Sequence, residues 1–594
     1  MWWTLLAAAA FGVRPAAPVP RTALAAGGLL GAFALWTALS IAWAPSAERA
    51  FAELGRVLLY LGAFLAVALG ARRAQGAAWA DGLAAGISVA CALALAQRLV
   101  PGFATDGGIA VALPEAAVRL SYPIGYWNGL GIFAALALPL LLRAASAARP
   151  ALARGVAMLP VPLIVAVVYL TSSRGAAAVG IAGIAVFLAL GARRLAAGLA
   201  LVVAAAGSGG VLAVLTARPA LVDGPLTRAA VEGQGPGAAL LVAAVCLATA
   251  AAHAALCAVA PARVLVSARV RRAAVATAVV LALLGILAAG PQARVEAFKA
   301  PPAAVQDADF VRTHLFSGGG SGRWQFWGSA LDQFAANPLA GGGAGSFEPW
   351  WARHGTLAYF VRNAHSLWLE TLGELGIVGA LLLAGAFAAG LCAVPRRLGS
   401  GDDGERALAA ALAAVVVAFA LGAALDWVWQ LPAVAVVALA CLALLTVPAT
   451  APAVRRPGRS RAGRAALAVV ALAAFGASGL AWLADADLRG SRAAVAAGSL
   501  QKAADRAARA RALTPWAGSP WLQLALVAER DGDLAASRTA IGEAIEREPE
   551  NWRLRVVAAR VATKDRAVRD ARSALAAARR LNPRSPLLGS LDAP

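Results

Sequence analysis

The sequence predicts an all-α fold: a polytopic membrane helix bundle with a large extracytoplasmic loop and a C-terminal soluble helical-repeat domain. Three observations carry that expectation. Of 594 residues, 60% are hydrophobic and only 14% charged, and the mean hydropathy is +0.71, which leaves too little polar surface to cover a soluble globule. Long apolar runs recur along most of the chain, separated by short loops. From about residue 485 the composition turns abruptly to charged, arginine-rich, amphipathic helix sequence. A membrane domain over 1–484 and a soluble domain over 485–594 follow.

Runs of roughly 17 to 25 apolar residues are long enough to cross a hydrocarbon core. They predict thirteen spans, near 22–44, 53–71, 77–100, 126–143, 152–171, 173–190, 195–217, 237–260, 272–290, 366–394, 407–427, 430–449 and 463–483. Residues 1–13 are apolar but short and lack the basic start of a signal peptide, so they predict a marginal fourteenth span. All five cysteines (Cys91, Cys246, Cys257, Cys392, Cys441) lie in apolar segments without metal-type spacing. They read as small buried hydrophobes.

The net charge of +22 would suggest nucleic acid in a soluble protein. Here the arginines sort by membrane side instead, and no nucleic-acid partner is expected. Arg72-Arg73, Arg143 with Arg149 and Arg154, Arg193-Arg194, Arg263 with Arg269, Arg271 and Arg272, Arg396-Arg397, and Arg455 through Arg464 occupy every second loop. Those loops are expected to be cytoplasmic. The alternate set then faces outward: 101–125, the turn 171–175, 218–236, the long loop 291–365, the turn around Asp426-Trp427, and the tail. This alternation puts Arg174, His365 and Asp426 on one face.

In the tail, Pro515, Pro549 and Pro583 recur at intervals of 34, each preceded five residues earlier by an alanine, Ala510, Ala544 and Ala578. A helix-ending proline and a small packing residue at that period are the signature of tetratricopeptide hairpins. The Gly532-Asp533 turn agrees with it. An unrelated helical bundle is the alternative.

Chemistry-bearing residues concentrate on the expected outer face. The stretch from Asn363 to Gly379 holds His365 where a loop runs into a long apolar helix, a costly place for an ionisable imidazole without a role. An interfacial or capping histidine is the alternative. Loop 291–365 is too long for a simple connector. It carries Gly318-Gly319-Gly320-Ser321-Gly322-Arg323-Trp324, Asn337-Pro338-Leu339, the glycine turn Gly341 to Phe347, Trp350-Trp351 and Arg362. Glycines permit close backbone approach, arginines supply forks for phosphate oxygens, and tryptophans offer flat faces for sugar rings or lipid head regions. Together they suggest an anionic, sugar-bearing ligand, against the plainer reading of an interfacial loop with aromatic anchors. Arg174, in a tight turn between two apolar runs, either snorkels or binds a ligand. Asp426, beside Trp427 and Trp429, could orient a histidine, pair with an arginine or cap a helix. Asn128, in Tyr126-Trp127-Asn128-Gly129, could bind ligand or cap its span. The chain has no nucleotide-binding glycine loop, no paired-cysteine zinc pattern and no nucleophile elbow. Its cytoplasmic loops are too short to house an ATPase, so any reaction draws on the substrate's own bond energy.

His365-Ser366, nine residues, then Gly376-Ile377-Val378-Gly379 resembles the histidine motif of the O-antigen ligase and O-antigen polymerase superfamily. Further pieces agree: Ser173-Arg174-Gly175, Tyr126-Trp127-Asn128, Arg323-Trp324 upstream of Asn337-Pro338-Leu339 and the glycine turn, and Asp426-Trp427 with Gln430-Leu431-Pro432. The resemblance covers about 126–450. It implies a multi-span bacterial inner-membrane enzyme that takes a glycan from a polyprenyl diphosphate donor and passes it, outside the cytoplasm, to a glycan, lipid or protein acceptor. The repeat tail departs from the simplest ligases, although tetratricopeptide tails occur among relatives, and it offers a surface for a protein partner.

By that resemblance His365 acts as general base or orients the acceptor hydroxyl, while Arg174 and Arg323 bind the diphosphate and stabilise its charge. Arg362, Asn363, Glu370, Asn128, Asp426 and Trp427 are implied as substrate-binding residues. The polyprenyl chain would lie among membrane lipids between spans. No metal and no cofactor are implied. A polymerase of the same superfamily, a transporter and an envelope scaffold are the alternatives. A transporter needs polar groups deep in several spans, whereas here the ionisable residues gather at the outer ends.

Overall fold

The computed structural model describes residues 20–71, 73–103, 118–191, 193–224, 226–259, 290–302, 318–399, 402–447 and 461–589. They form helices and turns, with no β-strand among the described residues. Ten of the described helices are long and apolar enough to cross a membrane, so the chain is an all-α polytopic membrane protein. Two expected spans are shorter than foreseen. The run at 173–190 is the helix Arg174–Leu190, held back by a turn at Thr171 to Ser173 and capped by the Ser173 hydroxyl, which accepts from the Ala176 amide at 3.2 Å. The run at 430–449 is the helix Pro432–Thr446, because its first residues belong to the 3-10 turn Val428–Gln430 and proline opens the helix. The expected spans at 272–290 and 1–13 lie outside the described residues.

The chain forms two compact units, one of residues 71–324 with 390–451, the other of residues 1–70, 325–389 and 452–594. At the centre of the first stands the span Trp127–Ser146, buried along its whole apolar window, beside Asp403–Leu425. A helix hydrophobic on every side suits a place where other helices or lipid meet every face, and here helices do. Gly76–Leu99, Ala151–Leu170, Arg194–Thr216 and Arg228–Val259 surround them and keep apolar side chains such as Leu152, Val202 and Leu240 exposed, as lipid-facing helices do. The last of these starts earlier than the expected 237, with Pro236 inside it.

The ends of this unit differ in chemistry. Around Ser146, Asp81 pairs with Arg143 and, at 2.7 Å, with Arg149. Arg154 donates to the Ala145 carbonyl and Arg193 to that of Ser146. The opposite end, where the central span begins at Trp127, brings together the turns at 118–126, 171–174, 318–323 and 425–427. Arg143, Arg149, Arg154 and Arg193 and the candidate site loops of this unit thus occupy opposite ends.

In the second unit the expected single helix over 366–394 is interrupted. Gly376 leaves helical geometry at φ 65°, ψ −169°. The carbonyls released by the break are taken up locally: Trp36 Nε1 donates to Leu375 O at 2.9 Å, Gly342 N to Gly373 O at 3.0 Å, and Gly343 N to Glu374 O at 2.7 Å. The freed Ile377 amide donates to Pro338 O at 2.9 Å. A Cβ at Gly376 would lie 2.2 Å from the Leu339 carbonyl oxygen. The glycine turn therefore approaches the protein's own helix closely, and at Gly343 a Cβ would lie 2.5 Å from Ala44 Cα.

The described parts of the segment 291–365 are largely helical. The segment carries the helices Pro291–Lys299, Arg323–Ala336 and Phe347–His354. In the second unit it builds a small core of Phe326, Ala330, Phe347, Trp351, Val361 and Ala364. Trp351 is thus a packing residue, with its Nε1 donating to Tyr359 O at 2.9 Å, and not an open platform.

The helix Arg461–Ala496 runs through position 485 without interruption. After it come Leu500–Leu513, Ser519–Asp531, Leu534–Arg547, Trp552–Lys564 and Val568–Leu581. The first, third and fifth start at intervals of 34 residues, and Ala510, Ala544 and Ala578 are all fully buried where neighbouring helices meet.

Gly376→Ala should lower stability by about 2–4 kcal/mol, because it adds steric conflict to a left-handed backbone. Thermal unfolding of the purified protein in detergent reads this as a lower midpoint. Gly28→Ala, whose added Cβ would meet nothing within 4 Å, should leave the midpoint unchanged or slightly higher.

Candidate active site

In the first unit one carboxylate organises the site. Asp426 follows the helix Asp403–Leu425 and is 3% exposed. Its Oδ1 accepts from the Tyr126 hydroxyl and the Trp427 amide, both at 2.8 Å. Its Oδ2 accepts from Asn128 Nδ2 at 2.7 Å and from Arg323 Nη2 at 2.6 Å. Arg323 Nε also donates to Leu425 O at 2.8 Å. Of the roles open to Asp426, pairing with an arginine is one that is realised. Asn128 does not cap its helix; besides Asp426 it donates to Tyr126 Oη at 2.9 Å. Trp427 stacks on Tyr126 with ring centroids 4.2 Å apart.

Arg119 completes this array, and the sequence reading missed it. Its Nε donates to Thr171 O at 2.9 Å, and its Nη2 donates to Asn128 Oδ1 and Ser172 O, each at 3.0 Å. The guanidinium lies over the Trp127 ring, 4.7 Å from its centroid. Nothing in the local sequence marks Arg119: its value comes from meeting the turn before Arg174 in space. Arg174 itself donates through Nη2 to Gly319 O at 2.6 Å, which ties it to the glycine-rich segment that precedes Arg323.

The electrostatics follow from burial. Desolvation pulls Arg119 down to about 9, so it remains a cation at neutral pH. With a folded-state value below the ordinary one, the buried charge costs stability below about pH 9, and the cost fades as pH rises through that value. Burial alone would also weaken the charge on Arg323, but the Asp426 carboxylate outweighs it and holds Arg323 above its ordinary value. Burial, reinforced by Asp426, pushes the Tyr126 hydroxyl well above the usual phenol range. Tyr126 therefore serves as a hydrogen-bond donor.

In the second unit His365 sits at φ 56° just before the helix Leu367–Leu391. Its Nδ1 is 3.0 Å from Asn363 O. A carbonyl only accepts, which assigns the hydrogen to Nδ1 and leaves Nε2 as the basic nitrogen of the neutral ring. Phe326 flanks the imidazole at 5.2 Å between ring centroids. Glu370 fixes the approach to this turn: Oε1 accepts from Asn363 Nδ2 at 3.0 Å and Oε2 from the Ala364 amide at 2.6 Å. Asn363 and Glu370 thus hold each other and shape the histidine turn, while Arg362 is exposed. One step deeper, the Glu374 carboxylate accepts from the Gly345 and Phe347 amides at 2.9 and 3.0 Å and anchors the glycine turn. The structure therefore brings Asn128, Asp426, Trp427 and Arg323 together in one unit, which also holds Arg174, and brings His365, Asn363 and Glu370 together in the other.

Removing the charge of Asp426 leaves Arg323 without its buried counter-ion. Asp426→Asn should cost about 3 kcal/mol, measured as a drop in the thermal midpoint. Adding Arg323→Met to that variant should recover part of the loss, because the stranded cation is gone.

A family model described as O-antigen ligase matches residues 237–384. The matched stretch contains Arg323, Arg362, Asn363, His365 and Glu370, while Asn128, Arg174, Asp426 and Trp427 fall outside it. No curated protein matches the chain. The chain is thus a multi-pass membrane protein that carries, over residues 237–384, a domain similar to the O-antigen ligases.

Proposed function

We propose that the protein transfers a glycan from a polyprenyl diphosphate to an envelope acceptor on the outer side of a bacterial cytoplasmic membrane, without a metal or cofactor. The observation that carries this reading is the family match over 237–384, which spans both His365 and Arg323. The outward facing of the site rests on the alternation of arginine-rich loops. In the proposed reaction His365 Nε2 takes the proton of the acceptor hydroxyl as its oxygen bonds to the anomeric carbon. The bond from that carbon to the phosphate oxygen breaks, and the lipid diphosphate leaves.

Arg174 and Arg323 meet the charge that gathers on the leaving diphosphate. Asp426, Tyr126 and Asn128 hold the Arg323 guanidinium in place, which suits a cation that must be positioned before the substrate arrives. Asn128, Trp427 and Arg362 take part in binding donor or acceptor, and Asn363 and Glu370 act by setting the histidine turn. The 34-residue recurrence of helix starts at Leu500, Leu534 and Val568 supports reading the C-terminal helices as tetratricopeptide-like repeats.

Purified protein incubated with a polyprenyl diphosphate glycan and candidate acceptors tests the reading. His365→Ala should reduce transfer by a factor of 100 or more, in line with loss of a general base, while the protein still inserts in the membrane. Undiminished transfer would remove His365 from its assigned role. Arg174→Lys keeps the charge but loses the planar fork, and should weaken donor binding about tenfold. Product length separates single transfer from polymerisation. Deleting residues 485–594 should leave measurable transfer, whereas a pure scaffold would lose its phenotype altogether.

A further inference from the structure

Within the second unit, the segment Gly355 to Val361 and the C-terminal helices frame a cleft of about 220 Å³. One wall carries Tyr359 and Phe360, which are 50% and 66% exposed, an unusual position for large aromatic rings that lie outside the spans. The facing wall carries Trp552 and Arg553 at the start of the helix Trp552–Lys564. Arg553 lies over both Phe360 and Trp552, 4.5 and 4.9 Å from their centroids. It also pairs with Glu348 at 2.7 Å, and Arg49 closes on the other oxygen of Glu348 at 2.6 Å. Glu348, the one carboxylate among the described lining residues, is thereby neutralised. Beyond it lie the Asn582 amide, the Ser585 hydroxyl and the exposed Arg584, and among the described residues Arg584 has no carboxylate partner.

We propose that this cleft binds an anionic saccharide, the acidic sugar units of the acceptor. Sugar rings present C–H faces that suit Tyr359, Phe360 and Trp552, and an edge of hydroxyls that suits amide, hydroxyl and guanidinium groups. The cleft combines both, and its surplus charge is positive through Arg584. A lipid tail would require a continuous apolar lining, which Asn582, Ser585 and Arg584 interrupt. The wall that bears Tyr359 and Phe360 continues, four residues after Val361, into His365. An acceptor held in the cleft is therefore held by the same segment that presents the candidate base. This assignment rests on the proposed glycosyl transfer only in calling the saccharide an acceptor.

The test is direct binding to the full-length protein in detergent, measured by calorimetry with hexagalacturonate as probe and maltohexaose as neutral control. Hexagalacturonate should bind saturably at pH 7 and maltohexaose at least tenfold more weakly. Arg584→Ala should weaken hexagalacturonate binding at least tenfold and Phe360→Ala at least fivefold. Both side chains are exposed, so the folds of these variants should survive, as an unchanged thermal midpoint verifies. His365→Ala should bind as the unaltered protein does. Absence of binding, binding insensitive to both substitutions, or equal binding of hexaglutamate would each overturn the assignment, the last in favour of an acidic peptide. Binding without any transfer would overturn the transfer reading alone, and transfer without binding the cleft alone.

Discussion

A single buried carboxylate carries the architecture of the first unit's site end. Asp426 cannot be taken out of water unless its charge is met, and it is met by four donors drawn from three segments: Tyr126 with Asn128, the adjoining Trp427 amide, and Arg323. That requirement draws the start of the central span, the end of the helix Asp403–Leu425 and the segment entering Arg323 to one point. Arg119 extends the array to the turn at Thr171 and Ser172. The resulting network is fully engaged around the carboxylate, and a network in that condition fixes one geometry where apolar packing alone would tolerate several.

The second unit solves a different problem, that of interrupting a membrane helix without stranding its backbone. Gly376 breaks the helix Leu367–Leu391, and the glycine turn at 341–345 and Trp36 supply the partners that the broken ladder needs. Glu374 then secures the turn by accepting two of its amides. The His365 turn, eleven residues before the break, is held by Glu370 from the same helix. One helix face thus positions both the histidine and the glycine turn.

Much of this was legible in the sequence. The apolar runs placed the helices because hydropathy and length are what a membrane tests, and the alternation of arginines foretold which loops of the first unit share an end. Arg174 was recognisable as a charge confined to a tight turn between two apolar runs, and pairing with an arginine was among the roles open to Asp426. What escaped the sequence were relations between distant segments. Arg119 looks like any loop arginine until the Thr171 and Ser172 carbonyls appear beside it. The glycines of 341–345 read equally well as a ligand cradle or as a contact with the chain itself, since close backbone approach leaves the same residue in both cases. Trp350 and Trp351 read as a platform because an aromatic pair in a loop gives no sign that one ring has a core to enter. The break at Gly376 was hidden by a hydrophobic run that is continuous in composition but not in hydrogen bonding.

The pairing of Glu348 with both Arg49 and Arg553 bears on how the molecule is made. Arg49 leaves the ribosome before Glu348 and Glu348 before Arg553, and the unit that contains them is assembled from three separate stretches of chain. Its middle stretch must therefore wait, with a helix-borne carboxylate half-matched, until Arg553 has been made, whereas most of the first unit comes from one continuous stretch and can close earlier. The cleft beside Glu348 cannot form until Arg553 has been made. A chain cut short before Arg553 would complete its spans yet lack one wall of that cleft.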